Sequence, residues 1–399
     1  MAKKTAAKTA TIETAKSAFT FSANVSQLKR ELDFVIKGAE KKGHIPILRN
    51  VLFEVDNGHL TIRATNLDCW LTTRFTVETA SDAKYAFGVD AQRIRDYVGT
   101  LAHKDVSFSI DPDKADRVHV SNGSSKSKFA AVGLSEFPIP PKAETQLGSL
   151  PGALMKTICA LNTFSGDGIE SVRYSLKCIQ LEARDGKLVA MATTGHHLAR
   201  YEAPCGGLNV ESSLIPSSVL PLIASICNGE PVTIWSAENN TLIFRSKSRQ
   251  VSTKLMIGDF PKVEAIFKPR TRQIVAETQL LLSRARIAMP ALDERTRKMN
   301  FEITPESVVL RAMDASLNLE SEVTIPADLL EVQALIPARC GINAYYLTEI
   351  LETCAANNIA KVELHFEITD GMVVDAIEIC PVGVDSNGTN ARFVVMPMK

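Results

Sequence analysis

The feature that most constrains this chain is a β-hairpin pattern that recurs along it. One copy covers residues 50–65, a second covers residues 178–193, and a fainter third covers residues 301–312. Each copy alternates apolar and polar residues, turns, and alternates again, which is typical of a hairpin with one buried face. Asn57-Gly58 and Asp185-Gly186 suit the turns, because Gly and Asn tolerate a positive φ. The copies lie too far apart for solenoid units, so we expect each in its own domain.

The elements around the hairpin repeat as well. In each block a helix precedes the hairpin, and a second helix and further strands follow it. Apolar residues at helical spacing predict the helices, with Ser22 or Asn24 as N-cap of the first and Asp90 as N-cap of the second. The predicted helices cover about residues 25–36, 91–101, 151–163, 219–226, 277–289 and 343–356. Two amphipathic helices against antiparallel strands make an α+β domain.

We therefore predict domains at residues 19–141, 149–268 and 269–399, after a disordered N-terminal arm at residues 1–18. Similar domains in tandem suggest an arc. An arc can close into a ring by head-to-tail association, because heterologous interfaces either close or polymerise. Edge-to-edge pairing between domains and between subunits would give the free sheet edges the partners that they need.

Composition limits the function classes. Lys+Arg and Asp+Glu both number 45, so a nucleic-acid role would need charge segregated onto one surface. None of the eight cysteines forms a CxxC pair, which favours buried, reduced thiols in a cytoplasmic protein over a zinc or redox site. The N-terminus lacks the apolar core of a signal peptide, and no apolar run is long enough to span a membrane.

Enzyme signatures for phosphate loops, dinucleotide folds, nucleophile elbows and zinc helices are absent. The one catalytic-looking cluster is His196-His197 with Cys205 nearby. Adjacent residues on a strand point to opposite faces, so the two histidines make a poor pair of ligands for one metal. They could instead be solvated histidines at a strand end, or the rim of a binding pocket. We expect no catalytic residue, no metal and no cofactor.

Basic residues on or beside the predicted helices are the next signal. Each alone indicates a solvated helix face, but equivalent helices from three blocks would line one surface and make salt-sensitive, sequence-independent phosphate contacts. They are Lys29, Arg30, Lys37, Lys41, Lys42, Arg93, Arg95, Lys156, Arg173, Arg284 and Arg286. The C-terminal Met396-Pro397-Met398 is either the end of an edge strand or an adaptable apolar surface for peptides.

An ordered set of motifs carries a resemblance to a known family. The set comprises Ile45–Leu48, Val172–Tyr174 with Leu176, Ala192–Ala199, Asp259–Pro261 and Val394–Met398. Over about residues 19–399 the chain resembles the bacterial DNA polymerase III β subunit, the β sliding clamp family. The resemblance implies three tandem DNA-clamp domains, each with two helices packed on antiparallel sheets. It also implies a head-to-tail homodimer, a six-domain ring around double-stranded DNA that has no catalytic activity.

The resemblance also implies a pocket between the second and third domains for short linear motifs. Its partners would be the DNA polymerase III α subunit and other polymerases, the clamp loader and repair proteins, with no membrane partner. Carried over by position, the pocket comprises Leu176, Thr193, Gly195, His196, His197, Leu198, Pro261, Ile266, Tyr346, Val394, Met396, Pro397 and Met398, with Arg173 at its edge. The residues expected to contact DNA are Lys42, Arg93, Lys29 and Lys156.

The chain departs from the family pattern at several of these positions. Thr194 stands where the family usually has Asp, His197 where it usually has Arg, Ala265 near a usual Arg, and Ser217-Ser218 where a basic residue is common. These departures predict a less cationic pocket rim and an altered peptide preference. The Ser217-Ser218 departure also leaves open a clamp-like scaffold that binds proteins but is not retained on DNA. A second alternative is a metal-dependent hydrolase that uses His196, His197 and Cys205, although no carboxylate-rich ligand set lies beside them in the sequence.

Overall fold

The structure of the protein, a computed structural model, describes residues 19–41, 45–79, 84–110, 116–133, 137–166, 174–332, 337–383 and 388–398. The predicted N-terminal arm at residues 1–18 and the predicted site residues Lys42 and Arg173 lie outside these ranges. The chain divides into two compact units, residues 1–140 with 248–250, and residues 141–247 with 251–399. Each unit combines antiparallel sheets with few helices, as the α+β prediction requires.

The described residues of the first unit form two α-helices, α1 (Val25–Val35) and α2 (Ala91–Thr100). Its strands are β1 (Phe19–Asn24), β2 (Asn50–Asp56), β3 (His59–Thr65), β4 (Cys69–Thr76), β5 (Glu78–Thr79), β6 (Tyr85–Asp90), β7 (Asp105–Ile110), β8 (Arg117–Asn122) and β9 (Ser125–Ala130). One sheet has the order β5-β1-β7-β8-β9, and the other strands run in the order β4-β3-β2-β6. Among the described residues of this unit, β9 is therefore one of the two edge strands of its sheet, and the two-residue β5 is the other.

The second unit contains helices α3 (Gly152–Cys159), α4 (Leu220–Ala224), α5 (Thr278–Ala288) and α6 (Ala344–Ala356). The first half of its strands are β10 (Ala143–Leu150), β11 (Cys178–Arg184), β12 (Lys187–Thr193), β13 (His197–Pro204), β14 (Val210–Pro216), β15 (Val232–Ala237), β16 (Thr241–Ser246) and β17 (Arg249–Lys254), the last beginning with residues counted in the first unit. The remaining strands are β18 (Arg272–Glu277), β19 (Lys298–Ile303), β20 (Ser307–Asp314), β21 (Leu319–Pro326), β22 (Leu330–Val332), β23 (Ala338–Asn343), β24 (Lys361–His365), β25 (Ile368–Thr369), β26 (Met372–Val373), β27 (Ile377–Pro381) and β28 (Asn390–Val395).

The largest sheet of the second unit joins two of the predicted blocks. Its order is β14-β11-β12-β13-β28-β27-β24-β18-β22, and β13 pairs with β28 along its length. A second sheet runs β21-β20-β19-β23-β26-β25, with β21 at its free edge among the described strands. Because β13 and β28 share a ladder, residues 149–268 and 269–399 fold as one compact unit. The three predicted domain boundaries stay predictions.

The repeated hairpin is present in all three copies. It forms β2–β3, β11–β12 and β19–β20, each pair antiparallel. Asn57 and Asp185 have φ of 49° and 53°, and the glycine after each has φ of 73° and 75°, as the turn prediction requires. The third turn is built differently, since the hydroxyl of Thr304 accepts the backbone N–H of Ser307 at 3.1 Å. That side chain replaces the glycine, which is why the third copy is faint in the sequence.

The helix caps also follow the sequence. Asn24 accepts the backbone N–H of Gln27, and Asp90 accepts that of Arg93. The described part of the chain holds eight free cysteines, seven buried and Cys380 half-buried, as predicted for reduced thiols. No helix within the described ranges is both long enough and apolar enough to cross a membrane.

Candidate functional site

The turn between β12 and β13 holds the central predicted site residues in a fixed conformation. The Thr193 hydroxyl donates to the carbonyl of His197 at 2.7 Å and accepts the backbone N–H of Gly195 at 3.0 Å. Gly195 has a φ of 94°, a region that favours glycine. The turn therefore presents Gly195 and His196 to solvent while it turns His197 into the protein.

The C-terminal strand lies directly beside this turn. In the β13–β28 ladder His197 pairs with Val395 and Leu198 pairs with Val394. Beyond the strand, the Met396 N–H donates to the carbonyl of His196 at 2.9 Å. The Met398 N–H donates to the carbonyl of Gly341 at 2.6 Å. The first bond places Met396 next to the β12–β13 turn, and the second joins Met398 to β23.

An apolar cluster lies under this surface. Its buried members are Met191, Leu198, Val263, Ala376 and Val394, and the half-buried side chains of Val189, Phe260, Ile266 and Phe267 pack against it. Three predicted pocket residues, Leu198, Ile266 and Val394, are thus brought together. We refer to these nine residues as the apolar cluster. Partly exposed apolar side chains on a buried base give a surface that can bury an apolar peptide side chain.

The two adjacent histidines occupy opposite environments. His196 is exposed, whereas His197 is only 2% exposed and stacks on Tyr346 with ring centroids 4.1 Å apart. The Phe164 ring also lies beside the His197 ring, with ring centroids 5.4 Å apart. Burial lowers the pKa of His197 to about 4, so the imidazole is neutral at neutral pH. The interpretation of both residues as solvated histidines is therefore wrong for His197, which the sheet pairing with β28 buries.

The departures at positions 194 and 197 contact each other. The Thr194 hydroxyl lies 2.7 Å from Nδ1 of His197, within hydrogen-bond distance. Where the family usually has an acid and a base, this chain has two neutral groups joined by a hydrogen bond. Thr194 and His197 therefore form one uncharged pair at neutral pH, and the less cationic pocket rim stays a prediction.

Helix α6 approaches His197 from its other side. Oε2 of Glu349 lies 3.5 Å from Nε2 of His197. Because the imidazole is neutral, the contact is not an ion pair at neutral pH. Burial raises the pKa of Glu349, and the nearby Glu352 carboxylate raises it further. The sequence provides no signal for this contact, since only the packing of α6 against the sheet brings residue 349 to residue 197.

Several other predicted pocket residues are not members of the apolar cluster. Leu176 is half-buried in the short 3-10 helix Tyr174–Lys177, where its carbonyl accepts the Gly166 N–H at 2.8 Å. Pro261, Pro397 and Met398 are half-buried, and Met396 is 40% exposed. Their place in the pocket wall stays a prediction.

Sequence reasoning missed several members of the apolar cluster. Met191 and Val189 alternate along β12, a signal that the hairpin pattern already contained. Phe267 gave no such signal. Its ring lies under the guanidinium groups of Arg392 and Arg200, at 4.7 and 5.5 Å from the ring centroid. These cation–π contacts fix the aromatic edge of the apolar cluster.

The predicted DNA contacts are exposed where the structure describes them. In the first unit, Lys29 on α1 and Arg93 on α2 are exposed and make no ion pair within the described ranges. In the second unit, Lys156 on α3 is exposed, but it lines a groove of about 600 Å³ together with Glu349 and Glu352 of α6. The helix surface at Lys156 is therefore mixed in charge rather than basic.

The metal-site alternative finds no support in the geometry. His196 points to solvent, His197 packs on Tyr346, and the Cys205 thiol donates to the carbonyl of Leu208. Across the described ranges, no group of three or more His, Cys, Asp and Glu side chains could hold a metal ion. The predicted absence of a catalytic constellation stays a prediction.

Comparison with known proteins points to one family. Residues 19–141 match the family model for the N-terminal domain of the DNA polymerase III β subunit. The β sliding clamp of Haemophilus influenzae is 24% identical over 388 residues, covering 95% of this chain and 99% of that protein. The β sliding clamp of Buchnera aphidicola is 26% identical over 344 residues, covering 84% and 89%.

The fold agrees with solved structures of the same kind. A sliding clamp from Pseudomonas aeruginosa superposes with a TM-score of 0.84 at 19% identity, covering 96% of this chain and 100% of that one. The β sliding clamp of C. crescentus gives a TM-score of 0.83 at 20% identity and 96% coverage of this chain. At these identities the likeness shows the fold, which extends over nearly the whole chain.

Proposed function

Because this chain belongs to the family of the bacterial DNA polymerase III β subunit, the β sliding clamp, we propose that it closes into a ring around duplex DNA and tethers replication proteins. The family is one of non-catalytic processivity factors, so the protein acts by binding. The ring would be a head-to-tail dimer in the cytoplasm. Retention would then be topological, and the zero net charge of the chain is no obstacle.

The observation that carries ring closure is the opposite charge of two free edge strands. The exposed face of β9 carries Lys126 and Lys128, and the exposed face of β21 carries Glu320 and Glu322. A long free edge is a template for pairing with another chain. Were β9 of one copy to pair with β21 of another, their buried faces would join and the charged faces would lie on the same side. Opposite charges across strands stabilise such a pair.

Apolar side chains behind both edges fit the same pairing. Phe129 of β9 is half-buried and packs edge-on against Tyr97 of α2, with ring centroids 5.3 Å apart. In the second unit, Leu319 at the start of β21 is 41% exposed and Ile287 of α5 is 55% exposed. Joining these two groups would remove apolar surface from water, at about 25 cal/mol per Å² buried. The partner that fits each edge is therefore a second copy of this chain.

The apolar cluster and the turn at residues 193–197 supply the proposed partner site. An apolar linear motif would lay its side chains on the exposed parts of Ile266, Phe260 and Met396. We propose that the DNA polymerase III α subunit, other polymerases, the clamp loader and repair proteins reach the ring through this site. The neutral Thr194–His197 pair would favour motifs that do not depend on a cationic rim.

Lys29, Arg93 and Lys156, with Lys42 outside the described residues, are proposed to face DNA. Lys41, the residue before Lys42, lines a groove of about 720 Å³ together with residues of α1 and α2. Four basic and three acidic side chains line this groove. Contacts of this kind are sequence-independent and weaken with salt. They would centre the duplex, and the closed ring would hold it.

Retention on DNA of two topologies tests the proposal. The protein is loaded by a clamp loader onto nicked circular DNA, half of the sample is linearised, and both halves are gel-filtered at high salt. We expect the protein to stay with the circles and to run off the linear molecules, because a ring can leave only over an end. High salt should release little of the protein from the circular DNA during the filtration.

Equal loss from circles and linear DNA at high salt would contradict the proposal. Such a result would show binding that is electrostatic only. A protein that binds partner peptides but is never retained on circles would be the clamp-like scaffold instead. Lys29→Glu with Arg93→Glu serves as an internal comparison, since it should reduce loading while leaving the retention of loaded rings on circles unchanged.

A further inference from the structure

Glu349 lies outside the predicted pocket, yet it is the acidic group closest to the buried His197 ring. Its Oε2 is 3.5 Å from Nε2 of His197. Within the described part of the chain, Nε2 is buried and has no hydrogen-bond partner. A buried polar nitrogen without a partner is costly, and the Glu349 side chain is about one-third exposed, so a small rotation can bring its oxygen into hydrogen-bond range.

The other ring nitrogen defines which tautomer His197 adopts. The Thr194 hydroxyl oxygen lies 3.4 Å from the backbone N–H groups of both His196 and His197, where it can only accept. Its single hydrogen is therefore free to be donated to Nδ1 of His197 at 2.7 Å. A neutral imidazole whose Nδ1 accepts must carry its proton on Nε2. That proton points toward the carboxylate of Glu349.

We propose that Glu349 is a positioning residue of the partner site, which fixes His197 in the Nε2–H tautomer and thereby holds the β12–β13 turn. The inference rests on the proposed function for the role of that turn. His197 stacks on Tyr346, and the carbonyl of its neighbour His196 accepts the Met396 N–H. A fixed ring orientation therefore fixes two predicted pocket residues at once.

The charges around the pair are consistent with this arrangement. Glu352 lies one turn along α6 from Glu349, and Arg297 partly offsets its influence on the Glu349 carboxylate. Glu352 itself pairs with Arg286 at 2.7 Å. Besides burial, the neighbouring His196 on the same turn lowers the pKa of His197. At neutral pH the stable state is thus a neutral His197 beside an acceptor on α6.

The test compares Glu349→Ala with Glu349→Gln in the full-length protein. Long-range ¹H–¹⁵N correlation on ¹⁵N-histidine protein, with His197→Gln to assign the signal, reports which ring nitrogen carries the proton. We expect Nε2–H in the wild type and in Glu349→Gln, because the amide oxygen of Gln still accepts. We expect a mixture with the Nδ1–H form in Glu349→Ala.

Binding of a labelled peptide from a DNA polymerase III α subunit provides the second readout. Loss of one net hydrogen bond shifts the tautomer equilibrium about fivefold, and a smaller binding-competent fraction weakens the apparent affinity in proportion. We therefore expect an affinity loss of up to about fivefold in Glu349→Ala and recovery in Glu349→Gln. Glu352→Ala is the matched control, because it removes the same charge from the same helix. It should leave both the tautomer and the affinity unchanged.

An Nδ1–H tautomer in the wild type would overturn the proposal, as would a Glu349→Ala protein with unchanged tautomer and unchanged affinity. Equal weakening by Glu349→Gln and Glu349→Ala would also contradict it, since it would indicate a general effect of the charge. A wild-type protein that binds no peptide would sink the partner site, while the tautomer measurement on the free protein would still decide the role of Glu349.

Discussion

Reversing the charges on one edge strand is expected to convert the dimer into a monomer. Lys126→Glu with Lys128→Glu would place like charges opposite Glu320 and Glu322 across the proposed interface. Each cross-strand pair would change from attraction to repulsion, a change of about 1 kcal/mol, so the four pairs in the two interfaces of the ring would together raise the dissociation constant roughly 1,000-fold. Sedimentation over a range of protein concentrations measures the shift.

The same expectation holds for Glu320→Lys with Glu322→Lys on the other edge. Glu322 also forms an ion pair with Arg311 at 2.9 Å, but an exposed pair of this kind contributes little to folding. Thermal unfolding of each variant should therefore differ from that of the wild type only by the stabilisation that dimerisation adds, which both variants lose equally. A variant that unfolds well below the other would show that its substitution damages the sheet itself.

Mixing the two variants supplies the decisive control. Neither variant can close a ring with itself, because both of its interfaces repel. In a ring with one subunit of each variant, one interface has the charges of both strands reversed and the other keeps the wild-type charges. Both interfaces therefore attract. We expect the mixture to form a heterodimer and the combined four-residue variant to form a homodimer. Dimers in either single variant, or none in the mixture, would show that the lysines only block aggregation of a free edge.

Local sequence patterns predicted the hairpins and helices because the deciding interactions are local. Asn57-Gly58 and Asp185-Gly186 adopt the positive φ that their residue types favour, and Asn24 and Asp90 cap the helices that follow them. The third hairpin was faint because its turn uses the side chain of Thr304 in place of a glycine. In each case the predictive residue lies within a few positions of the structure that it sets.

The partner site depends on contacts between residues far apart in the chain. No periodic pattern connects His197 to Val395, or His197 to Glu349, and only sheet pairing and helix packing bring them together. The resemblance to the family implied that His197 lies near the C-terminal residues Val394 and Met396, but it gave no sign of Glu349. Burial of His197 was missed for the same reason, since the residue type and its neighbours favour a solvated strand end.

Removing residues 396–399 is expected to abolish peptide binding. The deletion takes away the partly exposed side chains of Met396 and Met398 and the backbone bonds to His196 and Gly341. Burying one such side chain contributes about 1.5–3 kcal/mol, so losing two should weaken binding by roughly 100-fold or more. Fluorescence polarisation with a labelled peptide from a DNA polymerase III α subunit measures the loss.

The dimer should survive the deletion, because neither β9 nor β21 contains these residues. Met372→Ala is the matched control, since Met372 is 50% exposed on β26 and lies outside the apolar cluster. It removes exposed methionine surface of the same kind and should leave peptide affinity within twofold of the wild type. Retained affinity in the deletion variant would show that partner peptides do not use the C-terminal methionines. The apolar cluster would then not be the partner site, although ring closure would still stand.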